Sequence, residues 1–335
     1  MREKRIPLFS VDTHRPANEF DVVAFNLSSE LVYTNLLNCI DLSGVPLRSV
    51  ERGIRDPLIA AGGHCTYNPE PLADFVDFFV LGDGEEVVSE LTYVIHKWKT
   101  SESTHSDRGF LLRELSKIEG VYVPQMYNVS RDQNGFQILE PKYGDVPKLV
   151  EKRTITSLED WPYPKNQLVP ITEVVHDRLN VEVFRGCTRG CRFCQAGMIT
   201  RPVRERSVDQ VRTMVSEGLR RTGYDQVALT SLSTADYSHI EKAVAAVGDD
   251  PLSCGQTGVS LPSLRVDAFT VGIAATLQGG KRSGLTFAPE AGTWRMRQVI
   301  NKLITEEDLY GAVESAFSQG WRRVKLYFLI ICHLE

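Results

Sequence analysis

The sequence predicts an α/β protein made of two parallel-sheet units. Short apolar runs alternate with helical patterns over residues 20–100, and the same rhythm returns from 179 to the end. Strands that alternate with helices form parallel, doubly wound sheets. Between the two stretches, residues 130–170 are rich in proline, charge and turn residues. The expected division is a Rossmann-like unit over 1–125, an irregular linker over 126–178 and a second βα unit over 179–335.

In the first unit, Asp21–Leu27 reads as a strand. Glu30–Leu42 reads as a helix with Leu31, Leu36, Leu37 and Ile40 inside, closed by Ser43-Gly44. Pro57–Ala61 and Phe75–Leu81 are two further strands, ended by Gly62-Gly63 and by Gly82-Asp83-Gly84. Glu85–Trp98 is a helix whose acidic start suits the helix dipole. Leu111–Ile118 is a short helix, followed by an extended Val121–Pro124. Ligands of such sheets bind at the C-terminal ends of the strands. Ser28, Gly62-Gly63 and Gly82–Glu85 are therefore expected on one rim. Neither glycine turn is G-x-G-x-x-G, so each is also compatible with a plain strand-to-helix turn.

In the second unit, Asn180–Phe184 is a strand, and Ser207–Thr222 a helix with Ser207 as N-cap. Gln226–Ser231, Gly258–Leu264, Ser283–Ala288 and Arg323–Ile331 are strands. Ser238–Val247, Asp267–Gln278 and Thr305–Gln319 are the helices between them. Gly279-Gly280-Lys281-Arg282-Ser283 is not a phosphate loop, because Ala275 and Arg282 stand where that motif needs glycine and a hydroxyl.

The first strand of this unit runs into Cys187, Cys191 and Cys194, spaced C-x3-C-x2-C with Phe193 before the last. Thiolates are the usual ligands of iron–sulfur clusters, and a cubane takes four. Three leave one iron open. Zinc usually takes four ligands in paired form, and no second pair lies nearby.

This triad resembles the signature of the radical S-adenosylmethionine superfamily. More specifically, the chain looks like an uncharacterised group of that superfamily with an N-terminal cobalamin-binding-like domain. The likeness extends to Leu72–Asp77, Gly82–Glu86, Leu115–Pro124, Arg201–Ser207, Ser231–Tyr237, Ser260–Arg265 and Phe287–Thr293. The resemblance implies that the second unit is an incomplete (βα)6 partial barrel, here with five strands. It implies a 4Fe–4S cluster on Cys187, Cys191 and Cys194, with S-adenosylmethionine chelating the open iron. Reductive cleavage then gives a 5′-deoxyadenosyl radical. The implied cofactor residues are Ser231 and Ser233 toward the methionine amino group, Arg265 toward its carboxylate and Glu290 toward the ribose hydroxyls. An electron donor such as flavodoxin or ferredoxin is implied as partner.

Three departures from the group's pattern set further expectations. A cobalamin-binding D-x-H-x-x-G loop is matched only by Asp12–Ala17, with Ala17 in place of glycine, so His14 is expected to be a surface histidine that ligates no cobalt. The first strand of that domain and the last strand of the barrel are expected to be missing. A chain ending at Glu335 would then leave an unpaired sheet edge, poorly soluble and weakly active.

Composition excludes other classes. Net charge is −5, with 42% hydrophobic and 24% charged residues, which is ordinary for a globular protein and unlike a globally basic nucleic-acid binder. No apolar run reaches a membrane span, and no signal core follows the N-terminus. Cys39, Cys65, Cys254 and Cys332 are scattered, as in a cytoplasmic protein. Arg185, Arg189, Arg192, Arg201, Arg204 and Arg206 crowd the cysteine loop. They form either a site for an anionic substrate such as RNA or a set of internally paired charges. Two alternatives to a radical enzyme of unknown substrate remain open. One is a relative of the tRNA-modifying methylthiotransferases, although only Cys39 and Cys65 are available for a second cluster. The other is a non-catalytic remnant that binds a cluster or a partner.

Overall fold

The computed structural model describes residues 1–101, 107–248, 257–262, 264–268 and 284–330, divided into compact units at Ile155/Thr156. Unit 1 contains a four-stranded sheet in the order β1 (Val22–Asn26), β2 (Leu58–Gly62), β3 (Phe78–Val80), β4 (Val121–Tyr122). The first three strands are parallel, with Ala24 opposite Ala60 and Ala61 opposite Phe79. β4 joins antiparallel, so the expected all-parallel sheet acquires one reversed edge. The reversal follows from the connection: α2 (Val87–Thr100) and α3 (Arg108–Leu115) intervene between β3 and β4. The turn Ile118–Gly120, with Gly120 at φ +84°, then lets Leu81 N–H reach the Gly120 carbonyl.

The expected first helix is a 3-10 turn over Glu30–Val32 followed by α1 (Tyr33–Leu42). Leu36 and Ile40 are buried, whereas Leu31 is 87% exposed because it belongs to the turn that precedes the helix. Gly82, at φ +97°, admits no side chain, since a Cβ there would lie 2.0 Å from the Arg153 carbonyl oxygen. Residues 127–141 lie within the stretch expected to be irregular. They form a hairpin of β5 (Tyr127–Arg131) and β6 (Gln137–Pro141). Directly before β3, Asp77 is fully buried and its Oδ2 accepts from Ile59 N–H (2.7 Å), Arg52 Nη1 (2.8 Å) and Arg108 Nη2 (3.1 Å). A buried carboxylate needs such partners, because its charge has left water.

Unit 2 contains a parallel sheet in the order β11 (Gly258–Ser260), β10 (Gln226–Thr230), β7 (Leu179–Glu182). Val227 pairs with Leu179 and Thr230 with Glu182. α5 (Val208–Thr222) begins at Ser207, whose side chain accepts from Gln210 N–H, and ends at Gly223. Its Gly218 packs onto β7, where a Cβ would come 2.6 Å from Leu179. α6 (Ile240–Gly248) covers the same sheet. A second parallel pair joins β12 (Leu285–Glu290) to β13 (Val324–Phe328), with α8 (Glu306–Ser318) between them. Its register shifts after Phe287, where Pro289 has no N–H to give the ladder. One apolar core runs beneath both groups of strands, with Val181, Val215, Leu229, Val244, Phe287 and Ala316 in it. Among the described residues the five parallel strands of unit 2 close no barrel, as in a partial barrel. Val266–Ala268 is a short 3-10 turn, and the rest of the helix expected to Gln278 lies outside the described residues, as do Cys254, Cys332 and the glycine run 279–283. Among the described residues no helix is long and apolar enough to cross a membrane.

Candidate functional site

The candidate site lies at the C-terminal ends of the unit 2 strands. β7 passes through Val183, whose N–H still donates to Thr230, into β8 (Phe184–Arg185). β8 pairs antiparallel with β9 (Arg204–Glu205), a two-residue strand with no visible periodicity in the sequence. Gly186 turns the chain at φ +98°, and a Cβ there would lie 2.4 Å from the Pro202 carbonyl oxygen. Only glycine lets the two backbones approach this closely. The cysteine loop starts at the next residue.

The loop is tied down along its length. Arg192 N–H donates to the Ile300 carbonyl (2.9 Å), and Arg192 Nη1 to that of Val299 (2.5 Å). Asn301 Nδ2 donates to the Gly190 carbonyl at 2.8 Å and Arg201 Nε to the Cys187 carbonyl at 3.1 Å. Residues 299–301 are the end of α7 (Trp294–Val299) and the turn after it, so a distant segment supports the triad. The three cysteines are partly exposed and form no disulfide. Cys187 Sγ accepts from Arg189 N–H at 3.4 Å, and Cys194 Sγ from Gly197 N–H at 3.3 Å. Hydrogen bonds to the sulfurs tune a bound cluster.

The residues present fit a 4Fe–4S cluster. The donor set is three cysteine sulfurs on one short loop, and Gly197 packs against the first and third, where a Cβ would make ordinary contacts of 3.5 Å to Cys194 Sγ and 3.8 Å to Cys187 Cβ. A single zinc would need its donors converging to within about 2.3 Å of one point. Among the described residues no group of three or more His, Cys, Asp or Glu is placed to hold one metal ion. A cubane offers a separate iron to each thiolate, so its three ligands need not converge on one point.

Beside the loop is a cavity of about 500 Å³ lined by Thr188, Arg189, Asp236, Arg265, Asp267, Asn301 and Leu303. Arg189 Nε donates to Asp236 Oδ2 at 2.9 Å, its Nη2 makes a second, shorter contact to Asp236 Oδ1, and its Nη1 reaches Asp267 Oδ2 at 3.2 Å. Arg265 grips Asp267 with two bonds, of 2.9 and 3.1 Å. Ser233 Oγ donates to Asp236 at 2.6 Å, and Ser231 Oγ accepts from Ser233 N–H at 3.2 Å. The hydrogen bonds with Asp236 hold the Arg189 guanidinium above its usual range. Burial pushes Asp236 up, but bonds from Arg189 and Ser233 outweigh it and leave the carboxyl below its ordinary value.

The structure thus gathers Ser233 and Arg265 into one network with the cysteine loop, and Ser231 adjoins it. Glu290 is placed differently. It sits at φ +66° after the shifted register of β12, and its Oε1 accepts from Lys302 Nζ at 2.9 Å. Much of the local geometry is carried by Arg189, one of the six arginines noted around the loop, and by Asp236, Asp267, Asn301 and Lys302, which the sequence does not single out as site residues. Asp267 follows Arg265 by two positions and Asp236 follows Ser233 by three, spacings that signal local pairing; nothing in the sequence signals Lys302. The six arginines around the loop are internally engaged. Arg185 pairs with Glu182, Arg204 donates to the Pro202 and Thr200 carbonyls, and Arg206 donates to Leu158 and Glu182 carbonyls.

Residues 1–124 match the family described as radical SAM proteins, N-terminal, and residues 181–334 match the radical SAM superfamily. The chain belongs to the radical SAM superfamily. It is 27% identical over 332 residues to the uncharacterized protein MJ0966 of Methanocaldococcus jannaschii, spanning 98% of this chain and 63% of that protein. Two solved structures share the fold. One is the cobalamin-dependent S-adenosylmethionine radical enzyme OxsB, with aqua-cobalamin and S-adenosylmethionine bound (TM-score 0.60, 14% identity, 92% of this chain and 40% of that one). The other is the radical S-adenosylmethionine methyltransferase TsrM of Kitasatospora setae, with cobalamin and a [4Fe-4S] cluster bound (TM-score 0.56, 14% identity, 93% of this chain and 58% of that one). At this identity the likeness is one of fold.

Unit 1 of this radical SAM protein carries a second cavity, of about 590 Å³, at the rim expected from the glycine turns. Its walls include Ala24, Asn26, Ala60, Gly62, Gly82 and Gly84, with Val88 and Leu91 of α2 opposite. His14 is exposed, near the Phe9 ring, and is not among the residues that line it.

Proposed function

We propose that this chain binds a 4Fe–4S cluster through Cys187, Cys191 and Cys194 and cleaves S-adenosylmethionine reductively, acting on a substrate yet to be identified. When bound, the cluster supplies one electron to the sulfonium, replenished by a donor of flavodoxin or ferredoxin type, so that the S–C5′ bond breaks into methionine and a 5′-deoxyadenosyl radical. The observation that carries the reading is the triad: three thiolates on a braced loop, with Arg265 beside it across a polar cavity. Arg265 offers a planar fork to a carboxylate. Ser231 and Ser233 offer oxygens to an ammonium group. Glu290 would meet sugar hydroxyls by sharing its carboxylate with Lys302. Anaerobic reconstitution should give about four iron and four sulfide per chain. Dithionite and S-adenosylmethionine should then yield 5′-deoxyadenosine, and Cys191→Ala should abolish both cluster and product. A tightly held zinc that resists replacement by iron would overturn the proposal.

The unit 1 cavity favours a second, compatible reading. Its floor of alanine and glycine leaves room for a bulky organic ligand such as a corrinoid, held without a cobalt bond from His14. Aqua-cobalamin titrated into the chain should bind equally to the wild type and to His14→Ala. Binding that disappears in His14→Ala would refute histidine-free binding, and no binding at all would refute the corrinoid.

A further inference from the structure

From the cysteine loop, the Arg189 side chain reaches residues that follow two neighbouring strands. Its N–H touches Cys187 Sγ, while its guanidinium holds Asp236, after β10, and Asp267, after β11. Asp267 is shared, because Arg265 grips the same carboxylate. Asp236 is not shared with Arg265 by any direct bond; its other partner is the Ser233 hydroxyl. Two guanidiniums and two carboxylates therefore form a neutral chain along the cavity wall. A ligand carboxylate that approaches the Nε/Nη2 edge of Arg265 meets a position already filled by Asp267. For a ligand to chelate that edge, Asp267 must yield, and Arg189, already bonded to Asp267 Oδ2, is the cation placed to keep it. The chelating pair with Asp236 keeps Arg189, and with it the cysteine loop, in place during that exchange.

We infer that Asp267 is a built-in competitor for the carboxylate of an amino-acid ligand at Arg265, and that Arg189, anchored by Asp236, is the positioning residue that holds the cysteine loop steady while the exchange occurs. The inference rests on the proposed function, since the ligand in question is S-adenosylmethionine beside a cluster. It predicts effects of opposite sign from two carboxylates in one network. Asp267→Asn removes the competing charge and should tighten S-adenosylmethionine binding severalfold. Asp236→Asn leaves Arg189 on Asp267 alone and should weaken binding roughly tenfold, the size of one lost charged hydrogen bond. A network that merely stabilised the fold would weaken binding in both variants.

The test uses the full chain, anaerobically reconstituted, as wild type, Asp236→Asn, Asp267→Asn and Arg189→Lys. S-adenosylmethionine is titrated by calorimetry and by the electron paramagnetic resonance spectrum of the reduced cluster. Iron and sulfide should match the wild type in all variants. The ligand-induced change of spectrum should need more S-adenosylmethionine in Asp236→Asn and less in Asp267→Asn. Arg189→Lys keeps the charge but loses the fork, so it should follow Asp236→Asn and replaces it if that variant is insoluble. Equal weakening in both aspartate variants, or no change in Asp236→Asn and Arg189→Lys, would overturn the inference and leave the proposed function standing. A wild type without a cluster, or without a response to S-adenosylmethionine, would overturn both.

Discussion

Gly186→Ala offers the sharpest test of how the backbone builds the cysteine loop. The residue sits at φ +98°, where an L side chain costs about 1–2 kcal/mol. Its new methyl would lie 2.4 Å from the Pro202 carbonyl oxygen and 2.9 Å from Val203 Cα. Non-bonded carbon contacts settle at about 3.5–4 Å, so β8 and β9 would have to part by roughly 1 Å. Overpacking of this kind adds about 1–3 kcal/mol. The total, about 2–5 kcal/mol, falls on a strand pair of only two registered residues each. The pair should yield locally and take Cys187 with it. The assay is anaerobic reconstitution with iron analysis, beside a thermal melt. Gly292→Ala is the control, because its Cβ would meet nothing within 4 Å. Gly186→Ala should lose most of its iron and melt at least about 4 °C lower. Wild-type iron and an unchanged melt would refute the claim that this close approach sets the loop.

Asp77→Ala should destabilise unit 1 by about 3–5 kcal/mol in urea unfolding, because it strands the fully buried Arg52 without its carboxylate. Asp74→Ala, which frees only the exposed Arg48, should cost less than about 1 kcal/mol, and equal losses would refute the distinction. Tyr237 gives a pH prediction. Burial, and next the charge of Glu205, push its phenol up to about 12, while its hydroxyl donates to the Arg206 carbonyl at 2.8 Å. Below about pH 10 the phenol is neutral in both folded and unfolded chains, so its contribution is fully present. From about 10 to 12 the unfolded chain loses the proton first, and stability should fall by about 2–3 kcal/mol as pH rises. Tyr237→Phe should remove that part of the alkaline loss; an identical alkaline limb in both proteins would contradict it.

Periodicity and punctuation alone were enough to place β1, β2, α1, α2, β7, α5, β10 and α8 to within a few residues. Those elements bury a regular apolar face, and Ser207 and Gly223 mark the ends of α5 by local chemistry. The cysteine spacing likewise puts Cys187, Cys191 and Cys194 on one short loop. The sequence by itself did not contain the reversed edge of β4, the two-residue β9 or the hairpin 127–141, because pairing partners rather than their own patterns create them. Nor did it place Asn301 on the Gly190 carbonyl, 111 residues away, or Lys302 on Glu290. A strand or a helix is selected by neighbours along the chain, within reach of one turn or one pleat. A braced loop and a shared carboxylate are selected by groups that meet only when distant strand ends converge, so the tertiary structure alone decided how Arg189, Asp236, Asp267 and Arg265 meet around one cavity.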